Sequence, residues 1–172
     1  MIIKTDVSRN NLVKIIKKGG VGVELGVFRG DFSACILRNS ELSTLHSVDR
    51  WAGDRGHNHD EYEIAKLKLN DFKDRSVLRR QTFDQALSDF KKNDIKFDFV
   101  YLDGYAHEGQ GSEGHFFNWF EMVKSGGLFA GHDYDKAFPK QIYNVDKFFK
   151  TTGNPFFLSS EKVYPSWFTF KR

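Results

Sequence analysis

The stretch that decides the fold is GVELGVFRGDFS, residues 22–33. An apolar run over 21–25 carries Glu24 near its tip, Gly26 and Gly30 follow four residues apart, and polar Asp31 then opens an amphipathic segment. This predicts a buried strand, a tight turn, and a helix over 31–39 whose Phe32, Cys35 and Ile36 share a face. Gly26 and Gly30 let the backbone turn sharply and lie close to a ligand, because neither carries a Cβ. The turn lacks the Gly-x-Gly-x-x-Gly pattern of dinucleotide sites, with Phe28 at its middle position, and it has no Gly-Lys-Ser/Thr to cradle a phosphate. It therefore suits a nucleoside ligand without a pyrophosphate.

Outward from this turn, short apolar runs alternate with amphipathic segments. Strands are predicted at 44–49 (TLHSVD), 76–80 (SVLRR), 97–103 (FDFVYLD) and 126–131 (GGLFAG). Helices are predicted over 60–74, 83–92, 115–123 and 140–150. Near the N-terminus, NNLVKIIKKGG (10–20) reads as a short helix capped by Asn10 or Asn11 and stopped at Gly19. Alternation of this kind implies an α/β fold with a doubly wound, mostly parallel sheet and helices on both faces. The last two runs, PFFLSS and SWFTF, are joined by only EKVYP, too short for a parallel crossover, so the final strand must run antiparallel. No linker or repeat divides the 172 residues, which predicts one domain over 1–172.

Composition narrows the function classes. The 26 basic and 23 acidic residues leave a net charge of +3, too even a balance to argue for a nucleic-acid or membrane partner. A single cysteine, Cys35, excludes an internal disulfide framework and points to a reducing compartment, the cytoplasm. No apolar run is long enough to span a bilayer. The 18 phenylalanines imply an aromatic core or an apolar cleft.

In a sheet wound this way, ligands bind beyond the carboxyl ends of the strands. Asp49 ends the second predicted strand, where a carboxylate can accept both ribose hydroxyls; Asp103 ends the fourth, and His132 and Asp133 follow the fifth. Singly, each has a plain structural reading, as turn glycine, cap or turn signal. His57 and His59 read as loop histidines, and the Phe116, Phe117, Trp119, Phe120 cluster as packing. The convergence of all the strand ends on one cleft is the stronger signal.

Together, VELGVFRGDFS, HSVDRW, FDFVYLDG and GGLFAGHDYD resemble the class I S-adenosylmethionine-dependent methyltransferases, in particular a small-molecule branch with an E-x-G-x-x-x-G turn and a G-H-D-Y motif. The resemblance runs from about residue 20 to the terminal SWFTF. It implies a Rossmann-like seven-stranded sheet with an antiparallel C-terminal strand and S-adenosylmethionine as cofactor. Glu24, Gly26, Phe28, Gly30, Ser33 and Asp103 would then border the cofactor, with the Phe28 ring either pointing away from it or forming one wall of its pocket; Asp49 would hold the ribose, Arg50 or Trp51 would flank the adenine, and Thr82 and Phe83 would meet its edge. The branch often has a second carboxylate after the fourth strand, where this chain has Tyr105.

Two devices for activating an acceptor hydroxyl follow. Asp103, His132 and Asp133 would bind Mg2+ or another divalent cation, or else His132 or His107 would act as general base beside Asp103 or Asp133. Methyl transfer to an oxygen of a small molecule is the expected activity, since the Asn/Asp-Pro-Pro-aromatic motif of nucleobase N-methyltransferases is absent. A non-catalytic nucleoside- or partner-binding module is the alternative reading, and a dinucleotide-dependent oxidoreductase is the third. The absence of a long capping insertion suggests a homodimer completing each site through 105–120.

Overall fold

The structure is a computed structural model describing residues 2–53, 56–105 and 113–172. In chain order the elements are β1 (Ile2–Lys4), α1 (Arg9–Leu12), β2 (Val21–Leu25), α2 (Asp31–Asn39), β3 (Thr44–Asp49), α3 (His59–Leu69), β4 (Ser76–Arg80) and α4 (Phe83–Lys92). They continue with β5 (Phe97–Leu102), α5 (Glu113–Glu121), β6 (Val123–Gly131), α6 (Pro139–Thr152), β7 (Phe156–Leu158) and β8 (Trp167–Phe170). One sheet holds them in the order β1-β7-β8-β6-β5-β2-β3-β4. Every pairing is parallel except the two made by β8, which runs antiparallel to β6 and β7.

The sheet has eight strands where seven were expected. The extra one is β1, which pairs parallel with β7 from Ile2↔Phe156 to Lys4↔Leu158. All three of its residues are exposed, so it is held by the backbone ladder and leaves no burial pattern in the sequence. The N-terminal helix is also shorter than predicted. Ser8, not Asn10 or Asn11, caps it by accepting from the Asn11 amide at 3.3 Å, and a 3-10 turn over Val13–Ile15 follows before Ile16 turns extended.

The strands bury both faces, and successive residues feed opposite layers. Phe97, Val100 and Leu102 of β5 pack with α4, α5 and α6 through Phe90, Phe116, Trp119 and Phe148. Phe99 and Tyr101 pack on the other face with α1 and α2 through Leu12, Phe32 and Ile36. Much of the phenylalanine surplus thus goes into the first layer, where Phe149 stacks on Phe156 at 4.1 Å and Trp167 meets Phe129 edge-on at 5.2 Å. Capping boxes start α3 (Asn58 with Glu61) and α4 (Thr82 with Gln85), and Gly153 ends α6 in the left-handed region at φ 66°. Among the described residues no helix is long and apolar enough to cross a membrane.

Beyond the ends of β2, β5 and β6 the ladder continues for one further bond each. Gly26 N–H donates to the Val48 carbonyl (2.9 Å), Asp103 N–H to Leu25 (2.8 Å) and His132 N–H to Leu102 (3.0 Å). The turns after β2, β5 and β6 are thereby fixed side by side.

Candidate active site

The turn after β2 is built around a buried carboxylate. Asp49 Oδ2 accepts from the amides of Val27 (2.9 Å) and Phe28 (3.0 Å), and Oδ1 from the amide of Trp51 (3.1 Å). His57 Nδ1 lies 2.7 Å from Oδ2. Burial alone would raise the Asp49 pKa, but these bonds outweigh it and hold the carboxyl below its ordinary value. Asp49 thus organises the turn through Oδ2, while Oδ1 accepts the Trp51 amide, so a ribose at this expected position would meet a carboxylate that also holds the backbone. Trp51 is fully buried, donates from Nε1 to the Phe28 carbonyl at 2.8 Å, and meets Tyr62 edge-on at 5.0 Å, outside the lining of the cavity described next.

The two glycines are required for packing. A Cβ on Gly30 (φ 76°) would sit 3.3 Å from Ala65 of α3, and one on Gly26 (φ 92°) only 2.5 Å from the Asp103 carbonyl oxygen. Thr82 caps α4, and Phe83 packs edge-on against Tyr105 at 5.1 Å. Neither they nor exposed Arg50 border the cavity described next. His107 lies outside the described residues.

A cavity of about 360 Å³ opens at the ends of β2 and β5, lined by Arg9, Glu24, Gly26, Val27, Phe28, Asp31, Phe32, His57 and Asp103. Of the residues expected at the cofactor, it gathers Glu24, Gly26, Phe28 and Asp103. Phe28, at φ 51°, keeps its ring partly exposed and 4.9 Å from the His57 ring. Glu24 is fully buried. Its Oε2 accepts from the Ser33 hydroxyl, which accepts in turn from Ser47 at 3.0 Å, while Oε1 has no hydrogen-bond partner among the described residues. Ser33 thus reaches the site only through Glu24. Burial pushes the Glu24 pKa up to about 8, with the charge of Asp103 adding and the Ser33 bond and Arg9 opposing. A carboxyl raised in the folded state favours folding most below its unfolded pKa, and this contribution falls as pH rises towards about 8.

Beside the cavity, His132 Nδ1 lies 2.8 Å from Asp133 Oδ1 and 3.4 Å from Asp103 Oδ1. Burial would lower the imidazole pKa, but the bonds to Asp103 and Asp133 prevail and push it up to about 9. The two carboxylates thus favour the charged, donating form of this imidazole. The three residues also offer donor atoms within 4.8 Å of one another, a set whose imidazole suits manganese or zinc better than magnesium. The fit of a cation fails on a residue the sequence reading missed. Arg9 Nη2 lies 2.5 Å from Asp103 Oδ2, which sets a fixed positive charge on the same carboxylate an ion would use, and Nη1 lies 3.5 Å from His132 Nε2. No motif announces Arg9; only the Ser8 cap fixes where its helix begins.

Comparison with known proteins agrees with this geometry. Residues 23–134, well over half of the chain, match the family model described as a methyltransferase domain. No curated protein sequence matches the chain. Among solved structures, an O-methyltransferase from Bacillus cereus in complex with SAH is similar at TM-score 0.67 and 16% identity, over 94% of this chain and 78% of that one. A precorrin-6y C5,15-methyltransferase from Geobacter metallireducens gives 0.70 and 13%, over 95% and 87%. An rRNA methylase from Streptococcus thermophilus gives 0.62 and 10%, over 94% and 93%. At these identities the neighbours establish the Rossmann-like fold, and with the family match spanning β2 to the turn after β6, this chain belongs to the methyltransferase domain family.

Proposed function

We propose that the protein transfers the methyl group of S-adenosylmethionine to an oxygen of a small-molecule acceptor. The observation that carries this reading is Oε1 of Glu24, a buried carboxylate oxygen without a partner among the described residues, on a residue that lines a cavity of ligand size. A cationic ligand group satisfies it, and the amino-acid end of S-adenosylmethionine carries an ammonium. Gly26 lets the backbone border the ligand, and the Phe28 ring supplies an apolar wall.

When bound, S-adenosylmethionine supplies a methyl already activated by its sulfonium. The protein then has to align an acceptor and manage one proton. Asp103, on the cavity wall and paired with Arg9 and His132, is placed to orient the acceptor hydroxyl by accepting its hydrogen bond, and the proton leaves to water at the open cavity as the methyl transfers. The even charge balance favours a small acceptor over a nucleic acid, whose binding draws on clustered lysine and arginine.

Incubation with methyl-tritiated S-adenosylmethionine and a panel of hydroxylated small molecules, in parallel with transcribed rRNA, tests this. Label is expected in an alkali-stable ether of a small molecule. Label in RNA alone would overturn the acceptor class. Tight S-adenosylhomocysteine binding without any transfer would favour the non-catalytic module.

A further inference from the structure

We infer that Arg9, delivered by α1, is the resident cation of the Asp103–His132–Asp133 centre and that it excludes divalent metal ions from it. The three donor atoms lie close enough together to share an ion. However, a guanidinium nitrogen already stands 2.5 Å from Asp103 Oδ2. That leaves Oδ1, which faces His132 Nδ1 at 3.4 Å, and an ion drawn there would share one carboxylate with a guanidinium whose like charge opposes it.

The guanidinium is not a loose surface charge. It lies 3.9 Å over the Phe32 ring and 5.1 Å from that of Tyr101, and the Arg9 main-chain amide donates to Glu161 Oε1 at 2.6 Å. Its side chain is only 23% exposed. For a metal to enter, Arg9 would have to leave two aromatic faces and an ion pair, with its helix anchored by Ser8 at one end and Leu12 in the core at the other.

The placement also gives Arg9 a task. It lines the cavity with Asp103, and its Nε–H has no partner among the described residues, so one donor remains for an incoming oxygen. A fixed guanidinium there stabilises negative charge as it develops on an acceptor oxygen, the service a metal would otherwise provide. This last role rests on the methyl-transfer reading; the exclusion of metal does not.

Titration of Mn2+ alone, followed by the electron paramagnetic resonance signal of the free ion, tests the exclusion without methyl donor or acceptor. The wild-type protein is expected to leave the signal unchanged. Arg9→Met, checked for folding by circular dichroism, should take up one ion at least about tenfold more tightly than wild type, and adding Asp133→Asn should abolish that uptake. Wild-type uptake that Asp133→Asn removes would overturn the inference, as would a folded Arg9→Met that binds no more than wild type. The wild-type melting temperature gives the same answer without depending on that variant. It should not move with Mn2+ or chelator, and a rise with Mn2+ that Asp133→Asn erases would overturn the inference.

Discussion

Asp49→Asn is expected to destabilise the protein by about 3 kcal/mol, a fall of roughly 6–12 °C in melting temperature for a chain of this size. The carboxylate accepts from three backbone amides and contacts His57, all at a nearly buried position. An amide in its place keeps one acceptor oxygen but turns an NH2 towards amides that also donate, so at least one buried donor loses its partner. The pH dependence has a definite sign. Because the folded pKa of Asp49 is lowered, its contribution is present above the unfolded value, about 3.9, and is lost as pH falls through the folded one. Thermal melts should therefore separate wild type from variant at neutral pH and draw together in acid. Equal melting temperatures at neutral pH would show that the turn does not depend on this carboxylate.

Gly26→Ala should cost as much or more, and it should damage the site as well as the fold. Its new Cβ would lie 2.5 Å from the Asp103 carbonyl oxygen and 2.8 Å from the carbonyl carbon, both backbone atoms that cannot swing aside. The residue also holds φ 92°, which side chains rarely adopt. Relief of the clash requires the β2 and β5 ends to separate, moving Asp103 away from Glu24. We expect a loss of about 3 kcal/mol or more, with ligand binding abolished. Gly53→Ala is the matched control. Its φ is 93°, but a Cβ there meets no described atom within 4 Å, so it isolates the backbone strain, about 1–2 kcal/mol. Similar melting temperatures for the two variants would mean that strain dominates and the close approach to Asp103 is unimportant.

The fold was legible because its strands lie buried on both faces and its helices amphipathic between them. The helices at 31–39 and 83–92 have the boundaries their amphipathic segments predict. The short connector before β8 forced an antiparallel end. Strand β1 was invisible, since an exposed edge strand held by backbone bonds leaves no apolar pattern. Within the site, sequence marks which carboxylates reach the strand ends but not what they face. Asp49 meets the turn amides because Phe28 adopts φ 51°, and a left-handed phenylalanine has no signature in a single sequence. Arg9 meets Asp103 across 94 positions of chain, a contact made only by packing α1 against α2.

The central claim is that the methyl donor binds in the cavity headed by Glu24, and calorimetric titration of S-adenosylhomocysteine tests it most directly. Wild type should bind at about micromolar affinity, releasing a proton at neutral pH as the raised Glu24 carboxyl ionises against the ligand's ammonium, which the buffer dependence of the heat reports. Glu24→Gln should bind at least about tenfold more weakly while melting higher than wild type at pH 8, since the glutamine no longer has to bury a charge. Binding undiminished by Glu24→Gln would place the ligand elsewhere, and no heat from S-adenosylhomocysteine with wild type, alongside tight binding of NAD, would contradict the account outright.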